Sequence, residues 1–153
     1  MPGHVANSEH ASFQSIAEYR LPRGRLVVGF EGEAPDWLRP TTESLLRFVK
    51  LPTGWDSYGG RAVDPFCASA AIELLLEIMR DDSPAPTVVP TSRGGIQLEW
   101  HVRGIDLEVE VCTPQRLLAS FEDASTGEAW DRELTHESHD LSAAIERLTF
   151  VVP

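Results

Sequence analysis

Near residue 87 the pattern of apolar and polar positions changes from a helical period to a period of two, and the change separates the longest helix from a run of strands. Before it, Cys67, Ala71, Leu74, Leu75, Ile78 and Met79 recur at helical spacing and predict a buried helix face. Asp64 is placed to cap that helix and Pro65 suits its first position. The fragment Asp81-Asp82-Ser83-Pro84-Ala85-Pro86 ends it. Acidic residues at a helix C-terminus oppose the dipole, so the fragment reads as a linker. A shorter amphipathic helix is predicted after Pro40, with Leu45, Leu46, Phe48 and Val49 on its apolar side. Thr41 or Thr42 supplies its cap, and it ends before Pro52. Arg25 to Phe30 reads as a strand, stopped by the stretch Glu31 to Pro35. Residues 1 to 22 are polar and mixed. They are expected to form a flexible N-terminal segment holding at most a short helix around Phe13 to Tyr19, with residues 23–153 as a single domain.

After residue 87 the period is two. Thr87 to Thr91 is a short strand whose proline suits an edge or an end. Gly94 to Val102 and Ile105 to Val111 fold back on an Arg103-Gly104 turn as a hairpin. Arg116 to Glu122 and Glu128 to Leu134 are two more strands, each reached by a short turn, so neighbours run antiparallel. A last helix runs from about Asp140 to Phe150, with Leu141, Ala144, Ile145 and Leu148 on one side. The expected fold class is α+β, an antiparallel meander of about four to five strands with helices packed on one face.

A two-residue turn at Arg103-Gly104 sets the register. Trp100 then faces Leu107, Glu99 faces Glu108, His101 faces Asp106 and Gln97 faces Glu110. Ile96, Leu98, Trp100, Val102, Ile105, Leu107, Val109 and Val111 share the face that helices must cover. The other face collects Glu99, His101, Asp106, Glu108 and Glu110, with Glu122, Asp131 and Glu133 expected to join from the later strands. Directly opposed like charges destabilise a sheet. Three readings compete for this face. It is a solvated surface that discourages aggregation; or a recognition surface for a basic partner; or a catalytic or metal site built from Glu99, Glu108, His101 and Asp106. A flat, open sheet face, lacking a pocket that excludes water, counts against the third.

Composition sharpens the choice. The formal net charge is −11, from 13 Lys and Arg against 24 Asp and Glu, which argues against direct nucleic-acid binding because phosphate neutralisation needs clustered cations. Anionic membrane surfaces are disfavoured for the same reason. No apolar run approaches the roughly 20 residues that span a bilayer. With no basic or apolar leader at the N-terminus, no secretory signal is expected, and Cys67 and Cys112 fit no metal or redox spacing. A cytoplasmic location is the expectation. No cofactor is expected: the phosphate-loop, dinucleotide, zinc-protease and nucleophile-elbow motifs are missing. His136 and His139 stand three apart without the spacing of a known zinc motif.

One loop, Leu51-Pro52-Thr53-Gly54-Trp55-Asp56-Ser57-Tyr58-Gly59-Gly60, sets glycines around two aromatics. Trp55 and Tyr58 are expected to plug the core edge, with Asp56 bonded to loop amides. The competing reading displays Trp55, Asp56 and Tyr58 at a ligand site. Followed by a helix and by Pro90-Thr91-Ser92-Arg93-Gly94-Gly95-Ile96-Gln97-Leu98-Glu99-Trp100, this loop resembles a group of small uncharacterised bacterial proteins that carry a "NWDGYGA…P…GGIQLEW…LEIEI" pattern. The likeness covers roughly residues 45 to 112. Ser57 stands where glycine is usual, and Gly60 where alanine is usual. The resemblance implies a shared helix-plus-meander core and transfers no catalytic residue.

The expectation these readings support best is a non-enzymatic acidic protein that masks or tethers a basic protein, in the manner of an antitoxin, an immunity protein or a phage inhibitor of a nucleic-acid-binding machine. Glu99, His101, Asp106, Glu108, Glu110 and Glu122 would form its surface, with Trp130 as a further anchor. An enzyme or small-ligand protein using Asp56, Tyr58 and His101 is the first alternative. A homo-oligomer associating through Trp37, Trp130 or an edge strand is the second.

Overall fold

The computed structural model describes residues 15–21, 24–30, 32–135 and 138–150. The element order is β1 (Ser15–Leu21), β2 (Gly24–Phe30), α1 (Leu38–Phe48), α2 (Pro65–Ile78), β3 (Thr87–Pro90), β4 (Ile96–Val102), β5 (Ile105–Thr113), β6 (Arg116–Asp123), β7 (Glu128–Leu134) and α3 (His139–Thr149). Strands β3 to β7 form one antiparallel meander, each paired with its sequence neighbour. The fold class is α+β, as the pattern predicts.

The central hairpin has the register that its turn dictates. Arg103 and Gly104 both take positive φ, at 48° and 82°, the geometry of a tight hairpin turn whose twist matches that of its strands. Trp100 therefore faces Leu107, and Glu99 faces Glu108. Ile96, Leu98, Trp100, Ile105, Leu107, Val109 and Val111 are buried on one face, and Val102 is half-buried. Full burial of side chains this size contributes about 1.5–3 kcal/mol each. This face holds the sheet under the helices.

The helix α2 supplies most of the cover through Cys67, Ala68, Ala71, Ile72, Leu74, Leu75 and Ile78. Asp64 caps it as expected, accepting from the Phe66 amide, and Pro65 occupies the first turn. The fragment 81–86 does more than link. Trp37 donates its indole N–H to the Arg80 carbonyl at 3.0 Å, and Trp100 donates to the Pro84 carbonyl at 2.9 Å. Ser83 is buried and its hydroxyl meets that of Thr149 at 2.9 Å, so the connection is clamped between α1, β4 and α3.

Other expectations need correction. Ser15–Leu21 is a strand paired with β2, where a short helix was expected; residues 13 and 14 lie outside those described. The helix α1 begins at Leu38, ahead of Pro40, because first-turn amides have no partner inside a helix and a proline there removes no bond. Neither Thr41 nor Thr42 caps it. Both sit buried within the helix, their hydroxyls bonded back to the Trp37 and Leu38 carbonyls at 2.6 and 2.8 Å.

Candidate functional site

The face of the meander opposite the helices is built from alternate residues of β4 to β7. Its rows read Gln97, Glu110, Leu118, Glu133; then Glu99, Glu108, Ser120, Asp131; then His101, Asp106, Glu122, Ala129. The expected acidic set, Glu99, Asp106, Glu108, Glu110 and Glu122, therefore lies on one surface with His101. Asp131 and Glu133 join it.

Two arginines answer part of this charge. Arg93, in the turn before β4, donates from one guanidinium nitrogen to both Glu110 oxygens, at 2.9 and 3.0 Å. Arg116, at the start of β6, donates to Glu133 at 2.8 Å and holds that carboxyl below its ordinary range. His101 meets Asp106 at 2.6 Å through Nδ1 and lies 3.7 Å from Glu99 through Nε2. The Asp106 hydrogen bond, then the charges of Asp106, Glu99 and Glu108, push the imidazole above the ordinary histidine value. The Gln97 amide donates to Glu99 at 2.7 Å and reaches Glu108 at 3.5 Å. Glu122 and Asp131 are exposed and have no ion-pair partner among the described residues.

The face is open, as the sequence-based expectation has it, but it carries shallow relief. Two shallow hollows of about 420 Å³ each lie on it. One has Leu118 and Ser120 in its lining beside Glu108, Asp131 and Glu133. The other is lined by His101, Asp106, Glu122 and Ala129. Each joins a little apolar surface to carboxylates. Among the described residues no group of three or more His, Cys, Asp or Glu is placed to hold a metal ion. His139 is exposed at the start of α3, and His136 lies outside the described residues.

The glycine loop is arranged as a structural element. Asp56 Oδ1 accepts from the Tyr58 amide at 3.0 Å and the Gly60 amide at 2.8 Å, and these bonds hold its carboxyl below the ordinary value. Trp55 is half-buried and donates to the Arg61 carbonyl at 3.0 Å. Tyr58 departs from expectation: it is 93% exposed, and it follows Ser57, which takes a positive φ of 65°. The loop's exit docks on the turn before β4, with the Arg61 amide bonded to the Ser92 carbonyl and the Asp64 amide to that of Gly94.

Two further expectations are corrected. Trp130 is not an anchor on the acidic face: it pairs with Phe121 on the helix-covered side, the rings stacked at 5.4 Å. Trp37 is buried and offers no oligomer surface. Missed at the sequence level is the Arg147 cluster beneath α3. There Arg147 binds Asp123 at 2.6 Å, Thr126 at 3.0 Å and Glu128, pinning the helix over the β6–β7 turn. A buried aspartate at the end of β6, Asp123, gave no pattern signal of its partner 24 residues away. No helix among the described residues is long and apolar enough to cross a membrane. Compared with family models, curated proteins and solved structures, the chain matches none.

Proposed function

We propose that this protein is a non-enzymatic acidic binding protein whose open sheet face masks or tethers a basic protein partner, acting in the cytoplasm as an antitoxin, immunity protein or inhibitor does. The observation that carries the reading is the placement of seven carboxylates, Glu99, Asp106, Glu108, Glu110, Glu122, Asp131 and Glu133, on one uncovered surface beside two arginines. Opposed carboxylates cost stability. A surface that gathers them attracts cationic partners and speeds their encounter.

The hollows support the same reading. Lysine and arginine carry apolar stems ending in a charge. Leu118 or Ala129 offers a stem an apolar floor, while Glu108, Glu122 and Asp131 offer the head a counter-charge. The alternative site at the glycine loop loses support because Asp56 already spends an oxygen on two loop amides.

The test is comparative capture. Wild-type protein and a Glu122→Lys/Asp131→Lys variant are immobilised and exposed to the same native lysate, and retained proteins are identified by mass spectrometry. These two positions are chosen because reversing Glu110 or Glu133 would set a lysine against Arg93 or Arg116. A basic protein retained by the wild type and lost by the folded variant supports the reading. Identical retention by both removes it.

A further inference from the structure

Both ring nitrogens of His101 face carboxylates: Nδ1 lies 2.6 Å from Asp106 Oδ1, and Nε2 lies 3.7 Å from Glu99 Oε2. A neutral imidazole has a single N–H and turns a lone pair toward one of two such neighbours. Only the imidazolium presents a proton to each. The arrangement is therefore that of a charged histidine bridging two strands, from Glu99 on β4 to Asp106 on β5. We propose that His101 is a proton-operated counter-charge for the acidic face, weakening capture of a basic partner when protonated and releasing Asp106 and Glu99 for that partner when neutral. The switch rests on the proposed function, since it regulates the same surface.

The surroundings of His101 favour this role. On β5 stand Asp106 and Glu108, and on its own strand Glu99; all three attract a proton to the ring. On β6, Glu122 is the cross-strand neighbour of Asp106 and adds to the negative field. On the β3 side, Thr87 pairs with Glu99 and brings no charge. Arg103, in the adjoining turn, keeps its charge throughout, so it sets a constant background. His101 is more than half exposed, so protons and partner both reach it. The ring holds its proton more tightly than an ordinary histidine does, and histidine is the side chain whose ordinary value already lies closest to neutrality. A basic group arriving in the hollow lined by His101, Asp106 and Glu122 meets the imidazolium as a competitor for Asp106.

The experiment uses decalysine as the probe, with binding to the full chain measured by calorimetry at low salt, near pH 5.5 and near pH 8, for wild type and His101→Gln. Lysine stays charged across this range, so the probe does not change. The wild type is expected to bind more weakly at the acid end, by roughly threefold or more, and His101→Gln to lose most of that difference. A pH dependence that persists unchanged in His101→Gln overturns the switch and leaves the binding reading standing. No binding by the wild type at either pH overturns both. As a second readout, the His101 ring proton resonances are followed by NMR. Their midpoint is expected above that of an ordinary histidine and lower in Asp106→Asn; an unmoved midpoint also overturns the switch.

Discussion

Glu99 on β4 and Glu108 on β5 stand directly opposite each other, and a single neighbouring amide, that of Gln97, donates to both. One neutral donor cannot cancel two charges. The pair is therefore a place where the sheet gives up stability, and Glu108→Gln should recover some of it while keeping an acceptor for Gln97. The expected gain is about 0.2–1 kcal/mol, read by urea denaturation at low salt, and it should shrink as salt screens the repulsion. A loss of stability would show that the Gln97 contact to Glu108 outweighs the repulsion.

His101 makes stability depend on pH in a direction fixed by its partners. Its proton affinity is raised in the folded state, mainly by the Asp106 hydrogen bond, so the folded protein binds the proton more tightly than the unfolded chain. The resulting stabilisation is fully present below the ordinary histidine value and is lost as pH rises through the folded value. Wild type should exceed His101→Gln in urea midpoint at acid pH and lose that advantage in mildly alkaline solution. An advantage that grows with pH would contradict the assignment.

Two loop positions should respond in opposite senses. Ser57 holds a positive φ of 65° without the freedom of glycine, so Ser57→Gly relieves backbone strain. Greater freedom of the unfolded chain offsets part of this, leaving an expected gain of about 0.5 kcal/mol. Gly95 is the converse: a Cβ there would lie 2.5 Å from the Val111 carbonyl oxygen, across the β4–β5 pair. Gly95→Ala should cost about 1–3 kcal/mol as the strands are forced apart. Thermal unfolding of both variants checks the pair.

The two cysteines should be slow nucleophiles. Burial first, then the nearby negative charge of Asp64, pushes the Cys67 thiol up to about 11. Cys112 is raised as well, by burial and then by Glu110. At neutral pH roughly one Cys67 in ten thousand is then thiolate. Ellman's reagent should label native protein slowly and urea-unfolded protein quickly. Rapid labelling of the native state would mean that α2 opens readily.

How much of this was legible follows from where the determining contacts lie. The acidic face could be drawn residue by residue because the Arg103-Gly104 turn sets the β4–β5 register locally, and alternation carries it onward to Glu122 and Asp131. Asp64 and Pro65 marked the start of α2 for the same local reason. Strand β1 was not legible: Ile16, Glu18 and Arg20 alternate with Ala17, Tyr19 and Leu21 without a consistently apolar side, and its pairing with β2 decides its state. Pro40 misled because the start of α1 is set by burial of Trp37 and Leu38. Tyr58 misled because aromatic identity suggests burial, whereas its loop leaves the side chain 93% exposed. Trp130 was legible after all: the alternation that puts Asp131 on the acidic face puts its neighbour Trp130 on the other, opposite Phe121.

The central claim is that the open face of the meander is where a basic partner is recognised, and NMR mapping with decalysine tests it most directly. The account predicts shift changes gathered on Glu99, His101, Glu108, Glu122 and Asp131, including the Gln97 side-chain amide that bridges Glu99 and Glu108. Changes of equal size at acidic residues elsewhere, such as Asp81, Asp82 and Glu146, would contradict it.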